Sequence, residues 1–198
     1  MIRRIATLLL LLIVGWLGWV AILNLPGRGG SEVSGKVQKN VAPRVSPSPS
    51  PRAAAGKLII PVTGVTSAEL VESFADPRGD GTRTHGAIDI MAPRGTAVLA
   101  ASAGTVEKLF DSKLGGLTIY VRRLDGGWID YYAHLYSYSP GLAEGQKVAQ
   151  GQPIGTVGST GDASVEGPHL HYEIKVMAPG EGWWQGRGVD PYPLLGGK

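Results

Sequence analysis

The chain has no cysteine among its 198 residues. Disulfide bonds and thiolate metal sites are therefore excluded, and histidine and carboxylate remain as strong ligands for a transition metal. Histidine is itself scarce, with four residues in the whole chain. Any pattern among these four side chains therefore carries weight.

A strong charge of one sign is also lacking over most of the chain. The net charge of +3 combines +2 from Arg3 and Arg4, +5 from residues 26–57 and −4 from residues 58–198. The mildly acidic balance of the long C-terminal part argues against a nucleic-acid-binding domain. The basic segment is interpreted as a solvated tether, with contact to anionic lipid heads or wall polymers as the alternative.

Long hydrophobic runs are absent except for one, which extends from Ile5 to Leu25 without a charge. This length is sufficient to cross a bilayer as a helix. A cleaved signal peptide is the alternative, but no Ala-x-Ala pattern lies near Leu25. We therefore expect residues 1–25 to be an uncleaved signal-anchor in the inner membrane. Since long C-terminal domains translocate largely regardless of flanking charge, the rest is expected in the periplasm.

Residues 26–56 lack any apolar pattern and end in APRVSPSPSPRAAAG. Such a composition buries too little apolar surface to fold, so we predict a disordered Pro/Ser-rich basic linker. The remaining residues, 57–198, form the predicted domain.

The predicted domain consists of short β-branched or aromatic runs bounded by glycine, proline or aspartate. These runs are KLIIPV, TAVLAA, GTVEKLF, LTIYVRR, WIDYYAHL, PIGTV and LHYEIKV. Thirty glycines and 14 prolines favour turns over long helices. The pattern predicts an all-β sandwich or barrel, with a hairpin tip at Asp125–Gly127. Only Thr66–Phe74 has a sequence suited to a helical turn.

The segment PHLHYEI places two histidines two positions apart in a predicted strand. Because side chains alternate faces along a strand, His169, His171 and Glu173 are expected on one face. Leu170 and Tyr172 then point into the core. Two imidazoles on one face present their nitrogens to a single small space, although exposed pairs of this kind also occur without a function.

Two further patterns contain the other histidines. His85 and Asp89 lie in THGAIDIMAPRG, which has the character of a loop entering a strand, and His134 lies in the aromatic strand DYYAHLYSY. Each alone is compatible with an ordinary surface or core histidine. Together the patterns indicate a metal site, because two histidines and one aspartate suit a catalytic zinc and leave two histidines for acid–base chemistry.

Three motifs in order carry a family resemblance: HGAIDIMAPRGTAVLA, YYAHL and GPHLHYEI. They are similar to those of the LytM/lysostaphin-type zinc metallopeptidases of peptidoglycan. The resemblance extends through GDASVEGPHLHYEI to GVDPYPLL and covers about residues 58–195. One departure is visible, since the family usually has His-x-Gly-x-Asp where this chain has His-Gly-Ala-Ile-Asp. We expect only a small change in the backbone of that loop.

The resemblance implies a β-rich sandwich with its site in a groove across one sheet. It further implies that His85, Asp89 and His171 bind one Zn²⁺, and that His134 and His169 are the catalytic pair. The implied activity is hydrolysis of a peptide stem or cross-link of peptidoglycan. In this hypothesis one histidine of the pair takes a proton from the attacking water and the other donates to the oxyanion. We assign the first role to His169, and the reverse assignment remains open.

Two other functions are compatible with parts of the sequence. A regulatory wall-binding module that activates other hydrolases would not need all five site residues, which are present here. A lipoyl- or biotinyl-like carrier is suggested by EGQKVAQGQPIG, but Lys147 lacks the flanking residues of a modification site. Glu173 is either a partner of an imidazole N–H or half of an ion pair on a solvated face.

Overall fold

The computed structural model describes residues 57–78 and 81–197. The expected membrane segment 1–25 and the expected linker 26–56 lie outside the described residues. Within the part that is described, no helix has the length and apolar character needed to span a membrane.

The all-β prediction is confirmed for the described residues, which contain eleven β-strands and a single 3₁₀ turn. The elements are β1 (Pro77–Arg78), β2 (Arg83–Thr84), β3 (Ile88–Met91), β4 (Ala97–Leu99), β5 (Gly104–Ser112), β6 (Gly116–Arg123), β7 (Trp128–Tyr138), β8 (Lys147–Val148), β9 (Pro153–Val157), β10 (His169–Val176), β11 (Arg187–Val189) and the 3₁₀ turn Pro193–Leu195.

Nine of the strands form one sheet in which every pairing is antiparallel. Its main path is β11-β10-β7-β6-β5-β8, and β3 pairs with β10 while β9 bridges β7 and β4. Strands β1 and β2 pair only with each other. Strands β7 and β10 are therefore the central strands, and each pairs with three others.

The two faces of the sheet differ in what they bury. On β10, Leu170, Tyr172 and Ile174 are fully buried in the main core, while the alternate positions are only partly buried. Trp128 and Tyr132 of β7 join the same core. Full burial of each such side chain stabilises the fold by about 1.5–3 kcal/mol. The core thus fixes which face of β10 is free to hold polar groups.

Three local predictions can be compared directly with the structure. The β6–β7 hairpin has its turn at residues 124–127, as predicted, and Gly126 there has a φ of 72°. The run at 57–62 is not a strand, and only Val62 forms an isolated bridge, to Val98. Pro61, which lacks an N–H, interrupts any longer ladder. Thr66 and Glu69 close a single turn, without a helix.

Candidate active site

The register of β3 against β10 brings the first predicted site residues together. Asp89 lies directly opposite His171, and Met91 lies opposite His169. His85 precedes β3 by a short loop and reaches the same space. Residues from two distant parts of the sequence therefore converge because two strands pair.

Three ligand atoms form a nearly equilateral triangle. His85 Nε2 lies 3.0 Å from Asp89 Oδ1, His171 Nδ1 lies 3.1 Å from the same oxygen, and the two nitrogens are 3.0 Å apart. Zinc–ligand bonds of 2.0–2.2 Å at tetrahedral angles separate ligand atoms by about 3.3 Å. The donor set and its spacing thus fit a tetrahedral zinc with one position left over.

Ser73 orients the side chain of His85 and also contacts the backbone of Asp89. The Nδ1 atom of His85 lies 2.8 Å from the Ser73 carbonyl oxygen, and a carbonyl only accepts, so Nδ1 carries the proton. The lone pair of Nε2 then faces the triangle, as a metal ligand requires. The hydroxyl of Ser73 also accepts from the Asp89 N–H at 3.3 Å. Sequence reasoning missed Ser73, which acts mainly through a backbone carbonyl without any side-chain signature.

Arg78 is a second residue that the sequence did not reveal. Its Nη2 donates to Asp89 Oδ2 at 2.6 Å and lies 3.1 Å from both ring nitrogens of His85. The equal distances place the guanidinium against the imidazole ring rather than along one lone pair. Arg78 therefore holds the carboxylate oxygen of Asp89 that stays outside the triangle.

The pKa of Asp89 reflects this setting. Burial alone raises the pKa of this carboxyl, but hydrogen bonds and positive charge from His171 and His85 in their protonated, metal-free forms outweigh it, so the net shift is downward. The carboxylate is therefore ionised near neutral pH, the form that binds a metal.

The predicted catalytic pair lies beside the triangle. The rings of His134 and His169 are 5.0 Å apart between centroids, in an edge-to-face arrangement. Their Nδ1 atoms lie 2.8 Å from the carbonyl oxygens of Thr160 and Gly167 respectively. Both Nδ1 atoms must therefore donate, and both Nε2 atoms are left as proton acceptors. His169 Nε2 lies 3.7 Å from Asp89 Oδ1, next to the triangle.

His134 has a strained backbone. Its φ of 58° is the single positive value at a non-glycine residue in the described segments. The β7 ladder is irregular here, and the His134 N–H bonds the Gly115 carbonyl at 2.8 Å rather than continuing the regular pairing. Burial lowers the pKa of the His134 imidazole. Strain of this kind, about 1–3 kcal/mol, persists where the surroundings impose it and is typical of active sites.

Two glycine-containing loops impose that geometry. A Cβ at Gly116 would overlap Thr160 and Gly161, and a Cβ at Gly161 would overlap the backbone of Leu114 and Gly116. The Thr160 hydroxyl also bonds the carbonyl of Leu135 at 2.8 Å. The two loops are therefore in backbone contact, which fixes the carbonyl that orients His134.

The departure from the usual loop motif has a simple structural form. Gly86 adopts the left-handed region with φ 73°, and a Cβ there would meet nothing within 4 Å. Ala87 is fully buried, which explains a small side chain at that position. The backbone, rather than the ligands, accommodates the difference.

The site residues line an open cavity of about 470 Å³. Among the aromatic side chains of β7, Tyr131 lines this cavity, whereas Tyr132 and Trp128 are in the core. Tyr136 is exposed and stacks with Arg94 instead. Fifteen residues form the lining: Arg78, Arg83, Thr84, His85, Asp89, Leu114, Gly115, Tyr131, Ala133, His134, Asp162, Ala163, Ser164, His169 and His171.

Glu173 shares the face of the two β10 histidines, as alternation predicts. Its carboxylate lies 3.6 Å from Lys175 Nζ. The ion-pair alternative is therefore the one observed, although the face is less solvated than expected, since 20% of the Glu173 side chain is exposed. Burial raises the pKa of Glu173, and the charge of Lys175 partly opposes that shift.

Comparison with known proteins gives one family match and relatives that include peptidoglycan endopeptidases. The model of peptidase family M23 matches residues 83–191. The L-Ala–D-Glu endopeptidase of Bacillus subtilis is 34% identical over 146 residues, which are 71% of this chain and 43% of that protein. The peptidoglycan DD-endopeptidase ShyC of Vibrio cholerae is 42% identical over 94 residues, 48% of this chain and 21% of that protein.

A solved structure with the same architecture is the catalytic domain of the antimicrobial peptidase lysostaphin from Staphylococcus simulans. It superposes with a TM-score of 0.54 at 31% identity and covers 63% of this chain and 89% of that domain. The chain spans less than half the length of the two curated relatives named above. The family match extends over more than half of the chain and includes all five histidine and aspartate residues of the site. The chain therefore belongs to peptidase family M23.

Proposed function

We propose that the chain is a zinc-dependent endopeptidase that hydrolyses peptide bonds in the stems or cross-links of peptidoglycan. The observation that carries this proposal is the triangle of His85 Nε2, Asp89 Oδ1 and His171 Nδ1, with two oriented imidazoles beside it. Family membership and the names of the relatives, which include peptidoglycan endopeptidases, support the choice of reaction.

In this proposal His85, Asp89 and His171 would hold the metal. When bound, zinc supplies a Lewis acid that activates water near neutral pH and polarises a carbonyl. The Nε2 atom of His169 accepts the proton of the attacking water and later delivers it to the leaving amine. His134, whose Nδ1 donates to Thr160, would have to take a second proton from solvent on Nε2 before it could donate to the developing oxyanion. Both rings are held in the same tautomer, with Nδ1 donating to a carbonyl oxygen, and this keeps the reverse assignment compatible with the same geometry.

Digestion of purified sacculi by the full chain tests the proposal. Mass spectrometry of muropeptides with and without a chelator should show new peptide ends only in the metal-loaded sample, with stoichiometric zinc by elemental analysis. Protein that binds no zinc and releases no fragments would overturn it. A regulator of other hydrolases is the contrasting outcome, and full biological activity of His169→Ala would favour that function.

We also propose that residues 1–25 anchor the chain in the inner membrane, with residues 57–198 in the periplasm. The support is the uncharged run from Ile5 to Leu25 after two arginines. Protease added to intact spheroplasts should remove the domain and leave a membrane-bound fragment. Recovery of a soluble chain lacking residues 1–25 would instead indicate a cleaved signal peptide.

A further inference from the structure

Strands β1 and β2 place two arginines directly opposite each other. The register pairs Arg78 with Arg83 and Pro77 with Thr84. Cross-strand partners share one face of a sheet, and like charges directly opposite destabilise the pairing. This two-stranded sheet has only these two residue pairs. A local conflict of this kind is typical of a functional position.

Both arginines line the cavity that contains the three ligand atoms. Arg78 uses Nη2 on Asp89 and leaves other donors of its five N–H groups, with 41% of its side chain exposed. Arg83 is exposed and forms no ion pair within the described segments 57–78 and 81–197. The pair therefore presents unused cationic donors to the cavity.

The cavity lining carries two arginines and two aspartates, so it has no excess of positive charge. Asp89, however, contacts Arg78 and both histidine ligands, which leaves Arg83 as the arginine of the lining without an ion-pair partner in the described segments. The planar fork of a guanidinium matches a carboxylate with two parallel hydrogen bonds. A peptide in an open groove next to the site can supply such a group.

We propose that Arg78 and Arg83 together bind a carboxylate of the peptide substrate and so select acidic peptides over neutral ones. This inference rests on the proposed function and adds a specificity element to it. The carboxylate has two possible sources: an acidic residue beside the cleaved bond, or the free C-terminus of the peptide. The second source would make the groove favour cleavage near chain ends.

Arg83 is the residue to change, because Arg78 also contacts Asp89 and its loss would disturb the ligands. Four synthetic versions of one stem-type peptide containing an L-Ala–D-Glu bond separate the sources. They carry a free or amidated D-Glu carboxyl, combined with a free or amidated C-terminus. Arg187→Gln, an exposed strand arginine that does not line the cavity, is the matched control.

Amidation of the recognised carboxyl should lower kcat/KM about 10- to 100-fold through KM, the value of one charge-assisted pair. Arg83→Gln should cause a smaller loss on the acidic peptide, because Arg78 still contacts the carboxylate, and none on the amidated one, which lacks the charge that Arg83 binds. Arg83→Lys should recover part of the loss, and Arg187→Gln should behave as the unaltered protein.

Two outcomes overturn the inference while leaving the proposed function intact. One is equal kcat/KM of the unaltered protein on all four peptides, and the other is an identical loss for Arg83→Gln on acidic and amidated peptides. Cleavage of none of the peptides by zinc-loaded protein would instead contradict the proposed function. In that case the carboxylate-binding role of the arginine pair can still be tested. The test compares equilibrium binding of the acidic and amidated peptides between the unaltered chain and Arg83→Gln.

Discussion

His134 Nδ1 donates to the carbonyl oxygen of Thr160 across 2.8 Å, and this bond joins a strained strand residue to a loop 26 positions away. Because a carbonyl oxygen only accepts, the bond fixes one tautomer of the imidazole and leaves Nε2 free towards the cavity. The Thr160 hydroxyl meanwhile bonds Leu135. The orientation of this histidine is therefore a property of the loop contact and of the strand together.

Substitution of Gly161 tests that dependence. A Cβ there would overlap the backbone of Leu114 and Gly116, and the φ of 77° is unfavourable for alanine. Gly161→Ala should therefore separate the two loops, move the Thr160 carbonyl and lower kcat strongly, with a loss of about 2–4 kcal/mol in the free energy of unfolding. Urea unfolding and peptide hydrolysis measure the two effects.

Gly126→Ala is the matched control, because Gly126 has a similar φ of 72° and a Cβ at this position would meet nothing within 4 Å. It should lose about 1 kcal/mol of unfolding free energy from backbone strain alone, with kcat unchanged. Equal effects of the two substitutions on kcat would contradict the role of the loop contact.

Replacement of the two histidines of β10 should separate metal binding from proton transfer. His171 lies in the ligand triangle, whereas His169 lies beside it with a free Nε2. His171→Ala should lose stoichiometric zinc and all activity. His169→Ala should retain zinc while its kcat falls by about 10²–10⁴. Elemental analysis after gel filtration, paired with peptide hydrolysis, gives both values, and loss of zinc from His169→Ala would contradict this division.

The face shared by the β10 histidines was predictable from sequence because the two-residue period of a strand needs no tertiary information. The alternation of buried Leu170 and Tyr172 with the polar positions confirms it. The pairing of β3 with β10, which places Asp89 opposite His171, depends on the whole sheet. The expectation that Asp89 and His171 bind one metal came from the family resemblance rather than from spacing, and the strand pairing itself was not predicted.

Other parts of the site were beyond sequence reasoning. Ser73 and Thr160 act through backbone carbonyls, which every residue has, so no residue type marks them. Arg78 reaches Asp89 from a separate two-residue strand. At 57–62 a β-branched pattern predicted a strand, but the missing N–H of Pro61 outweighed propensity. Local sequence patterns thus predicted which face a strand side chain occupies and where turns lie. Contacts between loops could be identified only from the three-dimensional structure.

Glu173 gives a stability prediction with a definite sign. Burial raises its pKa in the folded chain, so the protonated form favours folding. That contribution is complete below the unfolded pKa of about 4.3 and is lost as pH rises through the folded pKa. Glu173→Gln, which stays neutral, should therefore be more stable than the unaltered chain at pH 7, and the gain should vanish below about pH 4.

Urea unfolding at several pH values between these limits measures that difference. Glu72→Gln, at an exposed position, is the control. A stability gain for Glu173→Gln that persists unchanged in acid would show that the effect arises from packing rather than from ionisation.

Asp130 supports the site from behind the sheet. It is fully buried and accepts hydrogen bonds from Arg123 Nη2 at 2.6 Å, Arg123 Nε at 3.0 Å, Tyr172 at 2.7 Å and Ser102 at 2.7 Å. Tyr172 follows the proposed ligand His171 on β10. One carboxylate therefore links Tyr172, on the core side of β10, to Arg123 and Ser102.

Asp130→Asn should lower the free energy of unfolding by about 3–5 kcal/mol, because it leaves the Arg123 guanidinium buried without its counter-charge. Asp125→Asn, at the exposed β6–β7 hairpin tip, is the matched control and should cost less than about 1 kcal/mol. Urea unfolding compares the two variants. Zinc stoichiometry of Asp130→Asn at low urea should remain that of the unaltered chain, because Asp130 positions the strand without contacting the ligand triangle. A similar small loss for both variants would mean that water or a rearranged Arg123 replaces the missing charge, and the strand would not depend on this carboxylate.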